Sequence, residues 1–154
     1  MTEKNEGWQS YSASNDVYSR IRDDILLAAE ELGMTPRQQL RLELGVEEIV
    51  QNIISYAYED GGPVWIRTSA DKGMFWLEIV DYGKDFNPLA KDMRHSTGVP
   101  TIDQDEGGYG IFLVKNFFPS LDYTRELFAG RSANHLTMGL GLTEQPVTNS
   151  DGEE

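Results

Sequence analysis

Apolar side chains recur at helical spacing twice in the first third of the chain. Val17, Ile21, Ile25, Ala28 and Leu32 predict an amphipathic helix, capped by Ser14 or Asn15 and ended by Gly33. Leu42, Val46, Ile49 and Ile53 repeat the pattern behind a clear start: Thr35 as N-cap, Pro36 in the first helical position and Gln38 completing a capping box. That second helix is expected to run to about Tyr58. Gly61-Gly62-Pro63 then breaks the chain, and residues 64–70 and 74–81 read as two strands joined by a tight turn at Asp71-Lys72-Gly73. Residues 8–12 suit a short edge strand, 110–118 a third helix, and 121–127 with 133–142 a closing hairpin. Between them, residues 82–108 are polar and irregular, with prolines at 88 and 100. A stretch of that kind inside a small domain predicts a functional loop, with 89–106 as a lid that moves when ligand binds. The order of elements predicts an α+β two-layer sandwich, with helices on one face of a mixed, mostly antiparallel sheet. The expected domain is 8–142, between a flexible N-terminus at 1–7 and an acidic flexible tail at 143–154.

Composition narrows the chemistry. The 154 residues fit one domain and suffice for a core of its own. No apolar run approaches the roughly 20 residues that span a bilayer, and the first nine residues lack the apolar stretch of a signal peptide, so no membrane and a cytoplasmic location are expected. The absence of cysteine excludes disulfides, thiolate catalysis and zinc–thiolate sites, and His95 and His135 are too few for a multi-histidine metal site. A formal net charge of −13 repels phosphate backbones, so direct nucleic-acid binding is not expected. The same charge suits a basic protein partner or simply keeps the chain in solution.

Three clusters carry candidate chemistry. Glu48 and Asn52 lie four residues apart on one face of the second helix, with Gly45 and Ser55 on the same stripe. A carboxylate beside an amide can hold a hydrated Mg²⁺ and orient a hydroxyl for attack on a phosphoryl group, although such a pair is also an ordinary solvent-facing stripe. Asp81 ends a strand on the same pleat face as Phe75, Leu77 and Ile79. A carboxylate at the rim of an apolar surface could accept a hydrogen bond from an amino group on a flat ring such as adenine, and Gly83 would let backbone approach that ring. The plain alternative is a turn after a strand. Gly107, Gly108 and Gly110 open the apolar run of the third helix, where free backbone N–H groups and the helix dipole attract phosphate, or where the glycines act only as a hinge. Neither a P-loop nor a dinucleotide fingerprint is present, since no Gly-Lys-Ser/Thr follows and Leu113 stands where the last glycine would belong.

In order and spacing these clusters match a family pattern. Residues 42–58 (LELGVEEIVQNIISYAY), 80–89 (VDYGKDFNPL), 107–115 (GGYGIFLVK) and 130–138 (GRSANHLTM) resemble the boxes of the GHKL ATPases, the histidine-kinase-like superfamily with the Bergerat fold. The chain is most similar to the stand-alone serine/threonine kinases of that superfamily that act as anti-sigma factors. The resemblance covers about 12–142. It implies ATP and Mg²⁺ as ligands, with Asn52 on the metal and phosphates, Glu48 as general base, Asp81 on the adenine amino group and Gly83 along the ring. It also implies that Gly107, Gly108 and Gly110 wrap the phosphates and that Asn134 stands where many relatives place a small hydroxyl residue near adenine. The partner it implies is a STAS-type antagonist phosphorylated on serine, with a sigma factor as a second partner and a homodimer as the working unit. The histidine often found four residues after the asparagine is Tyr56 here. The alternatives are a module that binds a sigma factor or antagonist with ATP only as a structural ligand, and a signalling ATPase module unconnected with sigma factors.

Overall fold

A computed structural model describes residues 7–14, 16–85, 87 and 114–144. Its elements follow in the order β1 (Gln9–Ser12), α1 (Tyr18–Glu31), α2 (Pro36–Tyr56), β2 (Pro63–Asp71), β3 (Met74–Asp81), β4 (Ser120–Phe128) and β5 (Arg131–Gly141). The strands form one sheet in the order β1-β2-β3-β5-β4, with every pairing antiparallel. The α+β architecture expected from the pattern is the one observed.

Strand alternation sorts the sheet into two faces. Val64 and Ile66 of β2, Phe75, Leu77 and Ile79 of β3, and Leu136, Met138 and Leu140 of β5 are buried in one core with both helices. The opposite face carries Trp65, Arg67, Glu78 and His135, where Arg67 grips Glu78 through two hydrogen bonds of 2.9 and 3.0 Å. Both hairpins close on two-residue turns with consecutive residues in the left-handed region, Lys72-Gly73 between β2 and β3 and Ala129-Gly130 between β4 and β5. The second turn is tighter than the loop expected at 128–132, and it fixes the register Phe128↔Arg131 and Arg125↔Asn134.

The helices depart from expectation at their ends. α1 begins at Tyr18 behind Val17, which makes no side-chain cap; Ser14 contributes its carbonyl, which accepts from the Val17 N–H at 3.1 Å, and Asn15 lies outside the described residues. Val17, Ile21 and Ile25 are buried as expected, but the stripe continues through Ala29 rather than Ala28. Leu32 is 41% exposed because the helix is already unwinding there. Gly33 turns the chain at φ 96°, with hydrogen bonds from Gly33 N–H to Glu30 O and from Met34 N–H to Ala29 O. This is a Schellman ending, and it sends Met34 into the core in place of Leu32.

On α2, Thr35 caps the Gln38 N–H and Pro36 occupies the first turn. The reciprocal half of the box is absent: the Gln38 side chain donates to Gly141 O at 2.9 Å, and the Thr35 N–H goes to Leu142 O. The residues that would have closed a local box instead tie the start of α2 to the end of β5. The Thr35 hydroxyl also donates to Glu144 at 3.0 Å, which places a carboxylate at the positive end of the helix. α2 stops at Tyr56, two residues earlier than expected, and the Tyr58 hydroxyl leaves the helix to bridge Pro63 O and the Tyr82 N–H.

β3 and β4 run parallel with β5 between them, so the connection must carry the chain back to the opposite end of the sheet. Its described residues, 82–85, 87 and 114–119, include a helical turn at 114–117, bracketed by the buried Val114 and Phe118. The lid expected at 89–106 and the start of the third helix lie outside the described residues. Among those residues no helix is long and apolar enough to cross a membrane.

Candidate functional site

α2 brings Glu48 and Asn52 into contact. The Asn52 amide donates to Glu48 Oε2 at 2.9 Å, and Asn52 is only 5% exposed. Helical geometry puts the two one turn apart on the same face, so the contact follows directly from their spacing. With its nitrogen committed to the carboxylate, the amide keeps its oxygen as an acceptor that has no partner among the described residues. Gly45 does not extend this polar stripe. A Cβ there would lie 2.4 Å from the Phe118 ring, so the glycine serves as the seat of Phe118 against α2. Ser55, on the same stripe, is exposed.

Asp81 is the last residue of β3 and is 3% exposed. Its Oδ1 accepts two hydrogen bonds, from the Gly83 N–H at 2.8 Å and from the Asn134 amide at 2.9 Å. Among the described residues Oδ2 has no partner. Burial pushes this carboxyl above its ordinary range, against the opposing pull of the Asn134 and Gly83 hydrogen bonds and the Arg125 charge. A buried carboxylate with one oxygen satisfied and the other unpaired is a costly arrangement without a donor to complete it.

Asn134 faces Asp81 directly across the β3–β5 ladder. Beyond Asp81 it donates to Lys84 O at 2.8 Å, and its oxygen accepts from Arg125 Nη1 at 3.0 Å and from the Tyr123 hydroxyl. Arg125 also donates to Gly83 O at 2.8 Å. Tyr123 and Arg125 were not singled out from the sequence. The signal for Arg125 lies in the turn: with Ala129-Gly130 as a two-residue turn, Arg125 falls opposite Asn134.

The same loop is anchored to α2, since the Lys84 N–H donates to Ala57 O at 3.1 Å. Asn52 lies five residues before Ala57, about 7.5 Å along the helix axis. The loop that carries Gly83 and Lys84 is therefore tied to the C-terminal end of the helix that carries Glu48 and Asn52. Gly83 has a packing reason of its own. A Cβ there would stand 2.3 Å from Ala57 O and 2.7 Å from Ala57 Cβ, and backbone cannot yield as a flexible side chain can. Gly83→Ala should destabilise the fold by about 3 kcal/mol, the upper end of overpacking costs. Urea unfolding would register this as a lower midpoint. An unchanged midpoint would mean that the loop does not press on α2. Gly107, Gly108 and Gly110 lie outside the described residues.

Residues 11–140 match the family model described as the histidine kinase-like ATPase domain. The anti-sigma F factor of Halalkalibacterium halodurans is 26% identical over 87% of this chain and 94% of its own length. The serine-protein kinase RsbW of the same organism is 24% identical over 71% of this chain and 70% of its own. The serine/threonine-protein kinase BtrW of Bordetella bronchiseptica is 28% identical, with coverages of 79% and 87%. Among solved structures, the blue-light activated histidine kinase of Erythrobacter litoralis superimposes on 80% of this chain with a TM-score of 0.52 and 17% identity, a likeness of fold. This chain spans 41% of that kinase's length. With a family match running from β1 to the end of β5, the chain belongs to the histidine kinase-like ATPase domain family.

Proposed function

We propose that the chain is an ATP-dependent protein serine/threonine kinase and anti-sigma factor of a partner-switching module, transferring the γ-phosphate of ATP to a serine of a STAS-type antagonist. The observation that carries the reading is the Asp81 carboxylate, buried, locked through Oδ1 and open at Oδ2. An exocyclic amino group would supply the donor that this oxygen lacks among the described residues. Gly83 would run beside the ring, Asn134 would hold the carboxylate from behind, and Gly107, Gly108 and Gly110 would meet the phosphates. The free oxygen of the Asn52 amide suits a hydrated Mg²⁺, the ion that would neutralise charge on the phosphates. Glu48 would take the proton of the incoming serine hydroxyl as its oxygen bonds to the γ-phosphorus, the bond to the bridging oxygen breaks and ADP leaves. The names of the similar proteins, two kinases and an anti-sigma factor, support the same reading at 24–28% identity.

On this reading the working unit is a cytoplasmic homodimer that docks protein partners, an antagonist and a sigma factor, and the −13 charge favours protein over nucleic acid as partner. The domain is 8–142. Tyr56, at the position four residues after Asn52 where the resemblance puts a histidine, favours the second reading, a module that binds ATP and a partner without transfer. Incubation with γ-labelled ATP, Mg²⁺ and a panel of STAS antagonists should label one of them on serine. ATP and antagonist binding without any label would replace the kinase by the binding module.

A further inference from the structure

Asn134 is held from two sides by groups of opposite character. Its nitrogen donates to the Asp81 carboxylate and the Lys84 carbonyl, and its oxygen accepts from the Arg125 guanidinium and the Tyr123 hydroxyl. Turning the amide by half a revolution would press its oxygen against a carboxylate and a carbonyl, and its N–H groups against a cation. The orientation of the amide is thus dictated by its neighbours. Arg125 also draws on Gly83 O at 2.8 Å, and the Gly83 N–H is the second donor to Asp81 Oδ1. One guanidinium nitrogen therefore steadies both groups that fix the carboxylate. Tyr123 alone cannot do this, because its single proton is shared between Asn134 and Asp85.

The consequence concerns the oxygen left over. With Oδ1 filled twice, the carboxylate has one rotation open to it, and Oδ2 is the atom presented to a ligand. An ionised Oδ2 accepts from a 6-amino group and repels a 6-oxo group. A protonated or swivelled carboxyl would lose that distinction. Burial disfavours the charge on Asp81, and the nearby Arg125 charge opposes that tendency. We infer that Arg125, acting through Asn134 and Gly83, is a positioning residue that sets the preference of the Asp81 site for 6-aminopurine over 6-oxopurine nucleotides. The inference rests on the reading of Asp81 as the acceptor for the base.

Competition against a fluorescent ATP analogue would measure the affinities of ATP and inosine triphosphate for the parent, for Arg125→Met and for Arg125→Lys. Arg125→Met should weaken ATP about tenfold and leave the inosine nucleotide within about twofold, so the preference collapses. Arg125→Lys retains the charge and should keep part of the preference. General damage to the pocket would weaken both nucleotides alike. A preserved ratio in a folded Arg125→Met variant would overturn the assignment of Arg125 and leave the adenine reading intact. A parent with no preference for ATP over the inosine nucleotide would sink the adenine reading itself, and this inference with it.

Discussion

Asp81→Asn should lower ATP affinity about 10- to 100-fold while leaving the unliganded protein at least as stable as the parent. The two effects have one cause. Asp81 is buried with Oδ2 unpaired among the described residues, and the asparagine that replaces it can still present an oxygen to Gly83 and Asn134. What changes is the other position, where an acceptor becomes an N–H₂ donor that would face the amino group of the base on the proposed reading. A mismatch of that kind costs about 1–3 kcal/mol of binding. The stability half follows from the raised pKa of Asp81. The folded state holds the Asp81 proton more tightly than the unfolded chain, so this group's contribution to stability is fully present below the ordinary carboxylate value. It is lost as pH rises through the folded value. Asparagine has no such loss. The variant should match or exceed the parent at neutral pH, with the difference shrinking as pH falls below the carboxylate range. Calorimetric titration with ATP and thermal melts across pH would measure both. Full ATP binding by the variant would remove Asp81 from the site, and a large loss of stability at neutral pH would contradict the cost assigned to its buried charge.

How far the sequence carried depended on whether a signal was local. Thr35 and Pro36 announce α2 because capping and a fixed φ act within one turn, and the alternation of Phe75, Leu77 and Ile79 announces a strand with one buried face. The Glu48–Asn52 contact was legible for the same reason, since helical spacing alone brings the pair together. Gln38 departs from the local pattern because its side chain has two uses, a local box and a tie to Gly141, and the tertiary one wins. Gly45 answers to a distant partner in the same way: its missing Cβ makes room for Phe118, which arrives from far along the chain. The Arg125–Asn134–Asp81 line needed the register of two strand pairs at once, and a register is fixed by turn geometry that composition only hints at.

The chemistry assigned to Glu48 and Asn52 separates the kinase from the binding module, because the two substitutions should fail differently. Glu48→Gln keeps the length of the side chain and can still accept from the Asn52 amide through its own oxygen, so the pair that shapes this face of α2 survives. The variant loses a group able to take a proton. ATP binding should hold, and transfer to the antagonist should fall about 10²–10⁴-fold, the usual worth of a positioned general base. Asn52→Ala removes the amide itself and leaves Glu48 without that donor in a site where Asn52 is only 5% exposed. Mg-ATP binding and transfer should therefore both drop, and raising Mg²⁺ should recover part of the binding. Single-turnover transfer beside direct nucleotide titration would separate the two steps for each variant. If Glu48→Gln transfers phosphate at the parental rate, the base lies elsewhere even though the chain is a kinase. If Asn52→Ala binds Mg-ATP as the parent does, the amide oxygen is not turned towards the metal, and the Glu48–Asn52 hydrogen bond is a feature of the helix alone.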